Sequence, residues 1–237
     1  MAFVLAVMPG VSRAEAPDVY VLNTSTGAPY ADPAHSGFQD RVVTEVFRRI
    51  GLKGEVRQYS ASKRALVNAN ANVDHGVAMR VKGLEKRFPN LVRVEEQLIS
   101  NDFVAYSRDL KLATTSWNSM ADHPLAYIHG WVIFERNLPK NQVKYAVAKP
   151  GQMFDMLSKK RVDMILYERW QGLRRAKDTG VSVVVHEPPL ASVDMYMYVH
   201  KEHASLAPKL AAALKEMKQD GSYQKIFDET LTVLTKN

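Results

Sequence analysis

Between Val19 and Met79, short runs of β-branched and apolar residues alternate with stretches of helical period. Residues 19–22 read as a buried strand followed by the polar loop 23–27, residues 55–59 as a second strand and 73–79 as a third. Between the first two, Phe38, Val42, Val43, Val46, Phe47 and Ile50 fall on one helical stripe, with Ser36 as the expected cap and Gly51 as the left-handed stop. A second helix is predicted over 62–71. A β-α-β-α-β order needs a parallel sheet with helical crossovers, which excludes all-α and all-β folds for this part of the chain.

Two short strands follow, at 92–94 and 102–106, and then a polar turn or short helix over 117–122. The pattern restarts with a strand at 125–128, a Gly130-Trp131 turn, a helix over 132–137 and a strand at 144–147. A helix over 151–159 and strands at 162–166, 181–185 and 195–199 complete this second unit. One weak echo links the two: Val73-Asp74 and Val162-Asp163 each lead from a helix into an apolar strand. Near the end Leu206, Leu210, Leu214 and Met217 share a helix face, with Pro208 in its first turn. Gly221-Ser222-Tyr223 stops that helix, and a last one carries Ile226, Phe227 and Leu231.

The 237 residues accommodate two lobes of ordinary domain size. The net charge of +7 does not imply nucleic acid, because Arg48-Arg49, Lys159-Lys160-Arg161 and Arg174-Arg175 lie apart, near predicted helix ends. With no cysteine, disulfides and thiolate chemistry are excluded. Residues 2–8 form an apolar run too short to span a bilayer, broken by Pro9-Gly10 and followed by Ala14-Glu15-Ala16. This predicts a signal peptide cut after Ala16, although no Lys or Arg precedes the run; a plain N-terminal tail is the alternative. No nucleophile elbow, phosphate loop or H-E-x-x-H motif occurs. His200 and His203 have a spacing that suits one helix face, but no further metal ligand lies near them in sequence. Neither metal nor cofactor is expected.

Several segments together resemble the bacterial extracellular solute-binding proteins of family 3, the amino-acid type. They are Pro29-Tyr30 with Gly37-Phe38, Val73-Asp74, the stretch from Gly83 to Asn90 followed by Val94 and Leu98, and Arg161-Val162-Asp163. The closing pattern, Asp220-Gly221-Ser222-Tyr223 with Ile226-Phe227, is the most specific. The resemblance covers about 18–229. It implies a type II periplasmic-binding-protein-like α/β fold, two α/β lobes joined by two hinge strands. Lobe one would be 17–107 plus 200–237 and lobe two 108–199, with crossings near 106–109 and 195–200.

Ligands of open α/β sheets sit at the carboxyl ends of the strands. The loops there offer Thr24, Tyr30, Met79, Arg80, Gly130, Trp131, Tyr167 and Glu168. Tyr30 either stacks on a ligand or packs locally. Arg80 has the fork to clamp a carboxylate, or is a surface arginine. Gly130 lets backbone N–H groups approach an anion, or is a bare turn. Trp131 walls a pocket or packs as core. Glu168 stands where the resemblance places the carboxylate that meets a ligand ammonium; the alternative is a solvated pair with Arg169. Two departures count against a standard α-amino-acid clamp: Trp131 replaces the usual Thr or Ser, and Gly83-Leu84-Glu85-Lys86-Arg87 replaces Thr-Pro-Glu-Arg. The resemblance implies a monomeric periplasmic binding protein, not an enzyme, for an amino-acid-like compound or organic anion, serving an ABC transporter permease and no nucleic acid. A sensory or accessory binder and a dehydratase-like enzyme are the alternatives.

Overall fold

The computed structural model describes residues 17–236; the expected leader lies outside the described residues. β1 (Tyr20–Thr24), α1 (Phe38–Arg49), β2 (Gly54–Gln58), α2 (Ser62–Asn70) and β3 (Gly76–Val81) form the opening unit. β1 runs parallel to both β2 and β3, as the alternation predicted. α1 buries Phe38, Val42, Val43, Val46 and Phe47 against the sheet and the C-terminal helices, each contributing about 1.5–3 kcal/mol of apolar transfer. Gly37 rather than Ser36 opens the helix: Asp32 holds the Ser36 hydroxyl, and Asp40 reaches back to the Gly37 N–H at 3.0 Å. Gly51, at φ +74°, closes it.

β4 (Leu91–Arg93) and β5 (Ile99–Ser107) lead to the second unit. There β6 (Leu125–Ile128), α3 (Val132–Asn137), β7 (Lys144–Val147), α4 (Pro150–Ser158), β8 (Met164–Glu168), α5 (Arg169–Thr179) and β9 (Val184–Val185) follow. β6 runs parallel to β7 and β8. β10 (Ala191–His200) returns the chain to the first unit, where α6 (Ala207–Gln219) and α7 (Ser222–Thr230) place Leu210, Leu214, Met217 and Ile226 in its core.

The hydrogen-bonded order is β2-β1-β3-β10-β5-β8-β6-β7. The path is continuous, but the apolar cores are separate. One packs under α1, α6 and α7, and others pack around β6, β8 and α4. β10 pairs with β3 through Met195–Val199 and with β5 through Ala191–Met195. β5 pairs with β8 from Phe103 onward. β5 and β10 pair with each other over 99–103 and 191–195, between their pairings with β8 and β3. Ser100 and Asn101 interrupt the apolar run ahead of the expected start at 102, and the strand begins at Ile99.

α5 is the element the sequence did not announce. Its stretch, RWQGLRRAKDT, fully buries only Gly172 and Ala176, so the apolar period is faint. Its ends carry the signal instead: Glu168 caps the start, and Gly180 at φ +66° ends it.

On the edge of the first lobe, His203 packs edge-on against His75 at 5.1 Å and Tyr20 at 5.4 Å, with His200 at 6.5 Å. Among the described residues no group of three or more His, Asp or Glu is placed to hold a metal. The His75 Nδ1 accepts the Val21 N–H at 2.8 Å. Burial is the main cause that pushes His75 and His203 below the ordinary imidazole value, with Arg57 assisting at His75 and the other imidazoles at His203. Asp74 and Glu202 oppose it. Because the unfolded chain then binds more protons, the stability present above about pH 6.5 is lost as pH falls through the lowered folded values. The thermal midpoint is expected to drop between pH 7.5 and 5.5, and His203→Phe to flatten that slope. An unchanged slope in the variant would remove the cluster as the cause.

Candidate functional site

The crossing strands form a two-faced ribbon. Asn101 pairs with Val193, and Ile99 with Met195, so period-two alternation turns Asn101, Phe103, Val193 and Met195 to one side. Ser100, Asp102, Ser192 and Asp194 take the other side, where Ser192 Oγ donates to Asp102 at 2.6 Å and Ser100 Oγ to Asp194 at 2.7 Å. The first side floors a cavity of about 380 Å³. Thr26, Met79 and Val81 come to it from one lobe, and Trp131, Val132, Ile133, Glu168 and Gln171 from the other.

Glu168 ends β8 and is 1% exposed. Its Oε1 accepts the Trp170 N–H at 3.1 Å and lies 2.9 Å from the Tyr30 hydroxyl; its Oε2 accepts the Gln171 N–H at 2.9 Å. One carboxylate thus caps α5, ties the lobes through Tyr30 and borders the cavity. Burial raises its pKa, and the hydrogen bonds from Gln171, Trp170 and Tyr30 oppose the shift. The expected alternative, a pair with Arg169, is not formed: Arg169 turns to Asp102 at 3.1 Å and Glu187 at 2.6 Å. The neighbouring Trp170 ring meets Phe227 of α7 edge-on at 5.4 Å, a second tie between the lobes.

Trp131 forms one wall. It stacks on Tyr167 at 4.9 Å and on Phe134 at 5.8 Å, and meets Phe103 edge-on at 5.8 Å. Tyr167 therefore supports the wall without bordering the cavity itself. Gly130 adopts φ +80°, but its N–H donates to the Glu135 carboxylate at 2.8 Å. The Trp131 N–H donates to the Ile128 carbonyl. The amides expected to meet an anion are thus already engaged.

Arg80 also lies elsewhere than expected. Its guanidinium donates to Ser25 Oγ and Ser62 Oγ, both at 3.0 Å, and it is not among the lining residues. Its Nε is buried without a partner, and desolvation alone lowers its pKa. Thr24 is buried and accepts the Thr26 N–H at 3.1 Å, shaping the loop that brings Thr26 to the cavity. Tyr30 is fully buried behind the cavity, also 3.2 Å from Asn101. Of the sequence candidates, Met79, Trp131 and Glu168 come together at the cavity, with Tyr30 and Tyr167 behind them. The sequence reading missed Thr26, Gln171 and the ribbon residues; the alternation in ISNDF and ASVDM was the available signal for the ribbon.

No family profile matches the sequence. An uncharacterised protein of Shewanella oneidensis is 24% identical over 213 residues, which are 85% of this chain and 80% of that protein. Among solved structures, an ancestral cationic amino-acid solute-binding protein superimposes with a TM-score of 0.72 at 16% identity, covering 90% of this chain and 96% of the other. A mutant of the arginine-binding protein of T. maritima gives 0.67 at 14% identity, with coverage of 90% and 95%. The GluR0 ligand-binding core of Nostoc punctiforme, in complex with L-glutamate, gives 0.68 at 15%, with coverage of 90% and 99%. At these identities the likeness establishes the architecture: the chain has the two-lobed α/β fold of amino-acid-binding proteins.

Proposed function

We propose that this chain is an exported solute-binding protein that captures a small polar molecule, an amino acid or a related compound, between its lobes in the periplasm and passes it to an ABC transporter. The observation that carries this reading is the cavity itself. It draws its walls from both lobes and its floor from both crossing strands, with one buried carboxylate at its edge. Hinge closure about such a ribbon would seal a guest from water. Binding without turnover is the reading favoured over enzymatic chemistry, because among the described residues Glu168 is the only ionisable side chain lining the cavity and three donors already hold it. One solved relative is described as an ancestral precursor of cyclohexadienyl dehydratase, so prephenate and arogenate belong in the test, followed for product.

A thermal-shift panel of amino acids, amines, polyamines, opines and organic acids tests the reading. A guest at a hundred times its dissociation constant adds about 2.7 kcal/mol, which raises the midpoint of a chain this size by roughly 5–10 °C. Trp131→Ala is expected to weaken that guest at least about tenfold, in line with loss of an aromatic wall, and also to lower the unliganded midpoint, because the ring packs on Phe103, Phe134 and Tyr167. A panel with no shift, or product from prephenate or arogenate, would overturn the proposal.

A further inference from the structure

Resting on the solute-binding reading, we propose that the guest is an organic cation: a primary amine on an aromatic or branched apolar body, without a carboxylate. The charge inventory of the cavity carries this. Among the described residues Glu168 is the one ionisable lining residue, and its neighbour Arg169 pairs with Asp102 and Glu187 instead. A buried carboxylate beside an open space favours an ammonium there, where charge-assisted hydrogen bonds are strongest.

The other end of an amino acid would find no cationic partner among the described lining residues. The Gly130 N–H is consumed by Glu135, and Arg80 is held by Ser25 and Ser62 outside the lining. Among the described lining residues only uncharged groups remain to meet polar atoms: the amides of Asn101 and Gln171, the Thr26 hydroxyl and the Val132 and Ile133 N–H groups at the start of α3. A carboxylate moved from water to such surroundings without a cation is strongly disfavoured. The rest of the surface is built for an apolar body: Met79, Val132, Ile133 and Met195 supply aliphatic contact, and Phe103 and Trp131 supply aromatic faces that also attract a cation. At about 380 Å³ the space lies at the small end of ligand pockets, which excludes long polyamine conjugates and peptides.

The test is calorimetric titration of the purified protein with two matched trios: 2-phenylethylamine, phenylalanine and 3-phenylpropanoate; then isopentylamine, leucine and 4-methylpentanoate. Within each trio the body is constant and only the charged ends change. In at least one trio the amine is expected to bind at least tenfold tighter than the amino acid, with the acid weakest. Glu168→Gln, checked for folding by circular dichroism, is expected to weaken the amine at least a hundredfold; an amine that binds this variant undiminished overturns the proposal. Equal or tighter binding of the amino acid or the acid overturns the ligand class while leaving the solute-binding reading intact. Silence from both trios, with a shift elsewhere in the thermal panel, does the same. Silence throughout removes both.

Discussion

Glu168→Ala is expected to destabilise the protein by about 2–4 kcal/mol and to abolish guest binding. The wild-type carboxylate receives the Trp170 and Gln171 N–H groups and faces the Tyr30 hydroxyl. Alanine takes the acceptor away from all three. The first two are orphan donors of a helix start, and the hydroxyl is fully buried with only Asn101, at 3.2 Å, left to meet it. Part of this loss is offset because the buried carboxylate itself is held at a cost, as its raised pKa records. Urea unfolding measures the change. A variant as stable as the parent would show that water satisfies these donors and that Glu168 is not the tie between the lobes.

Gly76→Ala is expected to cost about 3 kcal/mol, lowering the thermal midpoint by roughly 6–12 °C. A Cβ there would lie 2.1 Å from the Tyr198 carbonyl oxygen, 2.7 Å from Leu22 Cδ2 and 3.0 Å from the Val199 Cα. Two of these three contacts are backbone of β10, the strand that returns the chain to the first lobe, and Leu22 is fully buried. The clash therefore has no flexible side-chain tip to displace. Gly151→Ala, with open space around the new methyl, is the control and is expected to stay within about 0.5 kcal/mol of the parent. Similar midpoints for the two variants would mean that β3 and β10 can separate at little cost.

Where residues speak through their immediate neighbours, the sequence was readable. The stripe from Phe38 to Phe47, the Gly51 and Gly221 stops and the Leu210–Leu214–Met217 face each depend on local period or backbone freedom. The two-lobed architecture followed from their order. The cavity was harder, because its residues are gathered by pairing between distant strands. Val193 and Met195 are unremarkable until Ala191–Met195 lies against Ile99–Phe103. Arg80 and Gly130 were sound candidates by residue type, and what the sequence did not reveal was competition. Ser25 and Ser62 claim one, and Glu135, five residues on, claims the other. The Val-Asp echo also divides in space: Asp74 is buried on Arg57 and Asn23, whereas Asp163 is exposed beside His123.

The strands joining the lobes line the cavity with one surface and carry their bracing on the reverse. Asn101, Phe103, Val193 and Met195 line the cavity, while Asp102, Ser192 and Asp194 knit the back. A substitution that retunes selectivity is never more than one residue from one that alters mechanical compliance, so variants of this chain would inherit the two properties together.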